Sequence, residues 1–438
     1  MIVLRAGGLG RAGLVATSTA VVSALLLVAV SMGRLQWDTR SWGGSLIAPI
    51  ADPGTRPGAM LGVLLLVVPL LLLLDQAVRL GSTARQRRYA ALAVAGATRA
   101  DLRRWASLEV GGPAAVGALL GVPVWLLLRY LLTELPNAHG RAGLVPTEVG
   151  PGVWTLLVVA CVTAYGVLVG RRAGTAMSDT LAEARGLRPP PRPWSALLLV
   201  GAVVFLGVYG AFYGRSDIAD LLAPLLGVVL AVAGIAGLAP WAGYRAARAL
   251  SARVRSGAGL LATGRLSADA RPAGRAAAAV GAVAMTAGVI GAFVPDARRS
   301  SGSSWVDDYG IPAAVVAVCA AAVVIVVAAS LAIHSTETLL ERRREMAALV
   351  ATGVPASEVA TAQRVECLIA TLPITVAGAL LGGFGYGWLA GLDAVVVAGV
   401  VAATLVTTVV VLAAIWLTTR LLRPWVLDAV DPDQLRTT

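Results

Sequence analysis

Arg85-Gln86-Arg87-Arg88-Tyr89-Ala90-Ala91-Leu92 and Arg342-Arg343-Arg344-Glu345-Met346-Ala347-Ala348-Leu349 are two copies of one polar segment, set 257 positions apart (342 less 85). The likeness continues downstream. At that constant offset Arg85/Arg342, Arg87/Arg344, Ala90/Ala347, Ala91/Ala348, Leu92/Leu349, Gly96/Gly353 and Glu109/Glu366 are identical, and Asp101/Glu358 exchanges one acid for another. Each copy lies between two apolar runs. Lipid imposes no composition on a polar connection, so its recurrence marks two related halves that present the same surface twice.

Working outward, the apolar runs decide the class. The chain of 438 residues is 58% hydrophobic and 14% charged, with a mean hydropathy of +0.80. That composition belongs to an all-α polytopic membrane protein. Ten runs have the length to span: about 14–32, 60–78, 110–132, 153–170, 194–213, 221–243, 276–294, 311–333, 367–390 and 394–418, against roughly 20 residues for a bilayer core. The first follows Arg5 and Arg11 without a cleavage site of small residues and reads as an uncleaved span. The last two meet in a tight turn near Gly391.

Arginine placement gives the orientation. All 36 basic residues are Arg. With the N-terminus inside, the inner segments hold 28 of these 36 and the outer ones eight, the bias that retains basic loops in the cytoplasm. Both termini are then cytoplasmic. The net charge of +12 is topology signalling, not a nucleic-acid footprint. The two longest outer loops, about 33–59 and 295–310, are too short for a folded extracytoplasmic domain.

Spans one to four and seven to ten form the halves. Each opens on an Arg-bearing segment, Gly10-Arg11-Ala12 and Gly274-Arg275-Ala276, and carries its polar copy after its second span. Two intervening spans preserve parity, so the repeats are parallel. The organisation is 1–175 for the first half, 176–250 for a proline-rich linker and the intervening spans, and 251–438 for the second half. Gly-Ala-Leu-Leu-Gly recurs at 117–121 and 378–382. Small residues of this kind favour close helix packing.

Several chemistries are excluded. Without Lys, the chain has no phosphate-binding loop of the ordinary ATPase type and no Schiff-base site. Two isolated histidines, His139 and His334, make no metal centre. Cys161, Cys319 and Cys367 are odd in number and lie in or beside apolar runs, so they read as packing residues. No carboxylate sits mid-span to relay protons, which disfavours a secondary transporter.

The repeated segment reads as helix, break, helix. Gly96 and Gly353 stand where a glycine stop belongs. Thr98-Arg99-Ala100-Asp101 fits a capping box, whereas Pro355 near the first helical position and Glu358 in the first turn open the second copy. A short amphipathic helix follows, Asp101 to Ser107 carrying Leu102, and Glu358 to Arg364 carrying Val359. It lies along the membrane surface and joins the next span through Glu109 or Glu366. Such a helix could rest on anionic lipid, dock a cytoplasmic partner, or be a passive relic of duplication. The repeated acid argues against plain lipid binding.

Placed after the second span of a four-span unit, the paired segments 85–109 and 341–366 resemble those of the FtsX-like permease family of ABC transporters. The ten-span layout is most similar to the single-chain permeases of bacitracin-resistance transporters. The resemblance implies a bacterial cytoplasmic-membrane permease without an ATPase site. A separate cytoplasmic ATPase, two copies per chain, would bind ATP and magnesium. It would dock on coupling helices at Thr98–Ser107 and Pro355–Arg364, within the segments 83–109 and 338–366. The coupling residues would be Arg85, Arg87, Gly96, Thr98, Asp101, Leu102 and Glu109 in the first copy. In the second they would be Arg342, Arg344, Gly353, Pro355, Glu358, Val359 and Glu366.

The large extracytoplasmic domain of such permeases has no counterpart here. A substrate taken from the membrane is therefore the expectation: a lipophilic drug, a lipid or a membrane-active peptide. The alternative is a non-transporting subunit that transmits the ATPase cycle to a cell-wall hydrolase or a signalling kinase.

Overall fold

The computed structural model describes residues 9–35, 46, 50, scattered positions from 60 to 78, 88–92, 94–132, 135–137, 140–143, 145–147, 149–182, 191, 193–212, 217–301, 335 and 345–429. The main elements are helices α1 (Leu9–Gly33), α2 (Arg99–Leu131), α3 (Val153–Ala182), α4 (Ala196–Phe212), α5 (Asp217–Ser251), α6 (Gly257–Ala268), α7 (Arg271–Ser301), α8 (Ala356–Ala390) and α9 (Ala394–Ala429). One small antiparallel hairpin pairs β1 (Leu135–Asn137) with β2 (Gly140–Ala142).

Among the described residues, six helices, α1, α2, α3, α7, α8 and α9, are long and apolar enough to cross a membrane. Their outer faces are apolar as well as their cores: Leu119 and Leu127 of α2, Leu156 of α3 and Leu405, Val406 and Val409 of α9 are exposed. So much apolar surface on the helix exteriors suits lipid rather than water. The runs 194–213 and 221–243 correspond to α4 and α5, and 60–78 is helical at its described positions. The run 311–333, with His334 and Cys319, falls outside the described residues.

The chain divides into two compact units. The first comprises Met1–Leu187 with Asp220–Leu225 and Ser300–Cys319; the second comprises Arg188–Ala219, Leu226–Arg299 and Ala320–Thr438. In the first, α2 packs against both α1 and α3. A Cβ on Gly117 would strike the Ala16 carbonyl and the Thr19 hydroxyl, and one on Gly121 would meet Ser23 and the Ala20 carbonyl. The backbones are therefore as close as glycine alone permits. Ser23 Oγ donates to the Ala118 carbonyl at 3.0 Å, a polar contact that strengthens such a seam. Beyond the end of α2, an isolated bridge joins Leu46 to Gly143, and Leu46 belongs to a buried cluster that includes Leu35, Ile50, Trp125 and Val145.

In the second unit the same string makes the same kind of contact. A Cβ on Gly378 would strike the Gly281 carbonyl of α7, and one on Gly382 the Met285 carbonyl. Ala16 and Ala20 are each 265 positions from Gly281 and Met285, while the glycines they face differ by 261. Below that seam, α5 reaches α4 at Leu199 through Gly234 and α8 at Ala370 through Gly243. The α8–α9 connection is Gly391, at φ +111°, followed by Leu392 and Asp393.

The short surface helices expected after Gly96 and Gly353 take another form. No separate surface helix ends at Ser107 or Arg364. These residues belong to the first turns of α2 and α8, helices of 33 and 35 residues. At 1.5 Å per residue each runs about 50 Å, well beyond the roughly 30 Å of a bilayer core. Their amphipathic turns therefore continue the span instead of lying apart from it. Apolar neighbours at the base of each helix give the turns a buried stripe, so no break is required.

Candidate docking segments

The first segment is built on a glycine stop. The helical residues 88–92 and 94 end at Gly96, whose φ is +97°, and the Ala97 amide donates back to the Leu92 carbonyl at 3.0 Å. Only glycine takes this backbone without Cβ strain. Thr98 then caps α2. Its hydroxyl accepts from the Asp101 amide at 3.3 Å, and the Asp101 carboxylate accepts from the Thr98 amide at 3.1 Å and from its hydroxyl at 2.6 Å. The expected capping box is present in full.

The second segment repeats the turn with other means. Gly353 has φ +99°. Its amide donates to the Val350 carbonyl at 2.9 Å, and that of Val354 to the Leu349 carbonyl at 3.1 Å, the paired bonds of a glycine C-cap. Pro355 occupies the N-cap of α8, next to the first helical position, and makes no side-chain cap.

Beneath both turns lies the same small core. Tyr89, Ala97, Leu102 and Ala106 pack together in the first segment. Met346, Val354, Ala356 and Val359 pack together in the second. Tyr89/Met346, Ala97/Val354 and Leu102/Val359 all keep the 257 offset. Leu102 and Val359 are thus buried anchors, not contact residues.

The acids diverge. Asp101 serves its own helix. The Glu358 carboxylate accepts from the Ala258 amide at 2.8 Å, in the first turn of α6, where Ser256 caps the Gly259 amide at 3.2 Å. An anion at a helix N-terminus meets unpaired N–H groups and the positive end of the helix dipole. Glu109 pairs with Arg11 of α1 and accepts from the Tyr89 hydroxyl at 2.8 Å. Glu366, largely buried, stands 4.0 Å from Arg265 of α6. Contacts 258–358 and 265–366 rise together, so α6 runs parallel to the base of α8 for about two turns, with Ala258, Ala262 and Leu266 buried in a stripe.

The exposed faces also differ. Arg99, Arg103 and Arg104 are exposed on α2, beside Trp105 at 63% and Leu108 at 68% exposure. On α8 the exposed positions of the first turns are Ser357 and Thr361. Arg364 is partly buried and donates through Nε to the Thr419 hydroxyl at 3.1 Å. Arg85, Arg87, Arg342 and Arg344 fall outside the described residues.

Sequence reasoning missed α6 and the roles of Arg11, Tyr89 and Arg265. Ser256 before an apolar stripe at 258, 262 and 266 was the available signal for α6. No protein-family model, curated protein or solved structure matches the chain.

Proposed function

We propose that this chain is the membrane subunit of an ABC transporter, with the two segments docking a separate cytoplasmic ATPase that binds ATP and magnesium. One observation carries the reading: segments 257 positions apart share a glycine turn, a buried apolar anchor and an acid in the first turn of a helix continuous with an apolar span. A helix that joins a docking turn directly to a span links movement of the turn to movement of the span, which is what coupling ATP hydrolysis to motion of a span requires.

Two related parallel halves, ten spans and cytoplasmic termini complete the proposal, supported by the Arg bias and by the matched glycine contacts. The site is bacterial cytoplasmic membrane, the assembly one chain with two ATPase copies. The substrate class is lipophilic: a drug, a lipid or a membrane-active peptide exported or extracted from the bilayer.

The test is co-purification of the full chain with the ABC-type ATPase encoded beside it, followed by ATP turnover in lipid. Stable association and turnover above that of the ATPase alone are expected. Absence of association defeats the proposal and returns the segments to lipid binding.

A further inference from the structure

Among the described residues, the base of α8 exposes a different chemistry from the base of α2. If two copies of one ATPase dock, each needs a similar complement. The first segment offers exposed guanidinium groups and apolar side chains within one helix: Arg99, Arg103, Trp105 and Leu108. Among the described residues, the first two turns of α8 expose only small neutral side chains, and Glu358 is already committed to α6.

Groups of that kind stand next to the base of α8. Arg253 and Arg255 are exposed in the turn that leads into Ser256, three to five residues before the Ala258 amide that Glu358 holds. Leu260, one turn into α6, is 51% exposed. A Cβ on Gly257 would lie 3.5 Å from Glu358 Oε2. The start of α6 therefore lies against the start of α8.

We infer that the second docking site is a two-helix surface, α6 together with the base of α8. Arg253, Arg255 and Leu260 supply there the cationic and apolar contacts that Arg99, Arg103 and Trp105 supply from α2. Glu358 is the positioning residue that holds α6 in place. Both sites then fit the same acidic and apolar face of a cytoplasmic ATPase by charge complementarity. The inference rests on the transporter reading above.

The experiment measures affinity of the adjacent ATPase for the full chain in nanodiscs. It compares the unchanged chain, R99Q/R103Q, R253Q/R255Q and E358Q. All four arginines are exposed, so the double variants keep the fold, and unchanged thermal unfolding checks this. Each double variant is expected to weaken binding by about tenfold, with a smaller response to added salt. E358Q weakens binding and also speeds amide exchange at 258–260, which a contact role alone would not do.

A loss confined to R99Q/R103Q overturns the composite site and leaves the transporter reading intact. If R253Q/R255Q keeps ATPase affinity but loses phosphatidylglycerol retention, those arginines serve lipid and the inference fails. No binding by the unchanged chain overturns both proposals.

Discussion

The base of α2 and the base of α8 share one sequence pattern and carry an acid at the same place in it, Asp101 and Glu358, yet the acids do different work. Asp101 closes its own capping box three residues from Thr98. Glu358, with proline at its N-cap, reaches 100 residues back in the chain to the α6 amide. The exchange is physical. A shorter Asp side chain fits the local box, and Thr98 supplies a hydroxyl and an amide. Pro355 has no N–H to offer, so the acid in the second copy is released for a tertiary contact and has the length to make one. The second pair of acids follows suit: Glu109 is tied to α1 and Tyr89, Glu366 to α6. The two copies share their turns and their anchors and differ in the partners of their carboxylates.

The comparison breaks most severely at the glycine seams, where the units should respond alike. Gly117→Val and Gly382→Val each drive a side chain into a facing carbonyl, at a cost of about 3 kcal/mol. Thermal unfolding in mild detergent should show losses of similar size for both. A large loss in one unit alone would mean that the seams are not equivalent.

The next effect separates the copies. Glu358→Gln removes a charge-assisted bond to a helix N-terminus, worth about 2 kcal/mol. Amide exchange should rise through residues 257–260. Asp101→Asn should leave those amides unchanged and loosen only 98–101. Equal responses in α6 would show that Glu358 does not hold it.

The smallest effect restores the symmetry. Gly96→Ala and Gly353→Ala meet no atom within 4 Å, so only backbone strain at positive φ is felt, about 1 kcal/mol each. Matched small shifts in unfolding temperature are expected. A negligible shift at one position would mean that its turn relaxes to another conformation.

Much of this was legible in residues that act on near neighbours. The glycine stops at 96 and 353, the Thr98 box, the helix start at Pro355 and the turn at Gly391 follow from backbone chemistry within four residues. The apolar runs fixed helicity, because a backbone in lipid must satisfy its own hydrogen bonds. The same reasoning placed the turns after Gly96 and Gly353 in separate surface helices. It erred because nothing in the sequence breaks the helix at Ser107 or Arg364, and burial of Leu102 and Val359 favours continuity. The hairpin at 135–142 was also passed over, although Pro136, Asn137 and Gly140 carry its turn signal.

The sequence by itself determined the glycine stops, the Thr98 cap, which runs are apolar, and that one polar pattern occurs twice. Those properties depend on local dihedral preference and periodicity. Only the tertiary structure decided which partner each carboxylate takes, because Glu109 reaches 98 residues to Arg11 and Glu358 reaches 100 to Ala258. Contacts over such distances depend on which helices the glycine seams bring together. A carboxylate will accept from any amide or guanidinium within reach, so packing, not side-chain identity, made the choice.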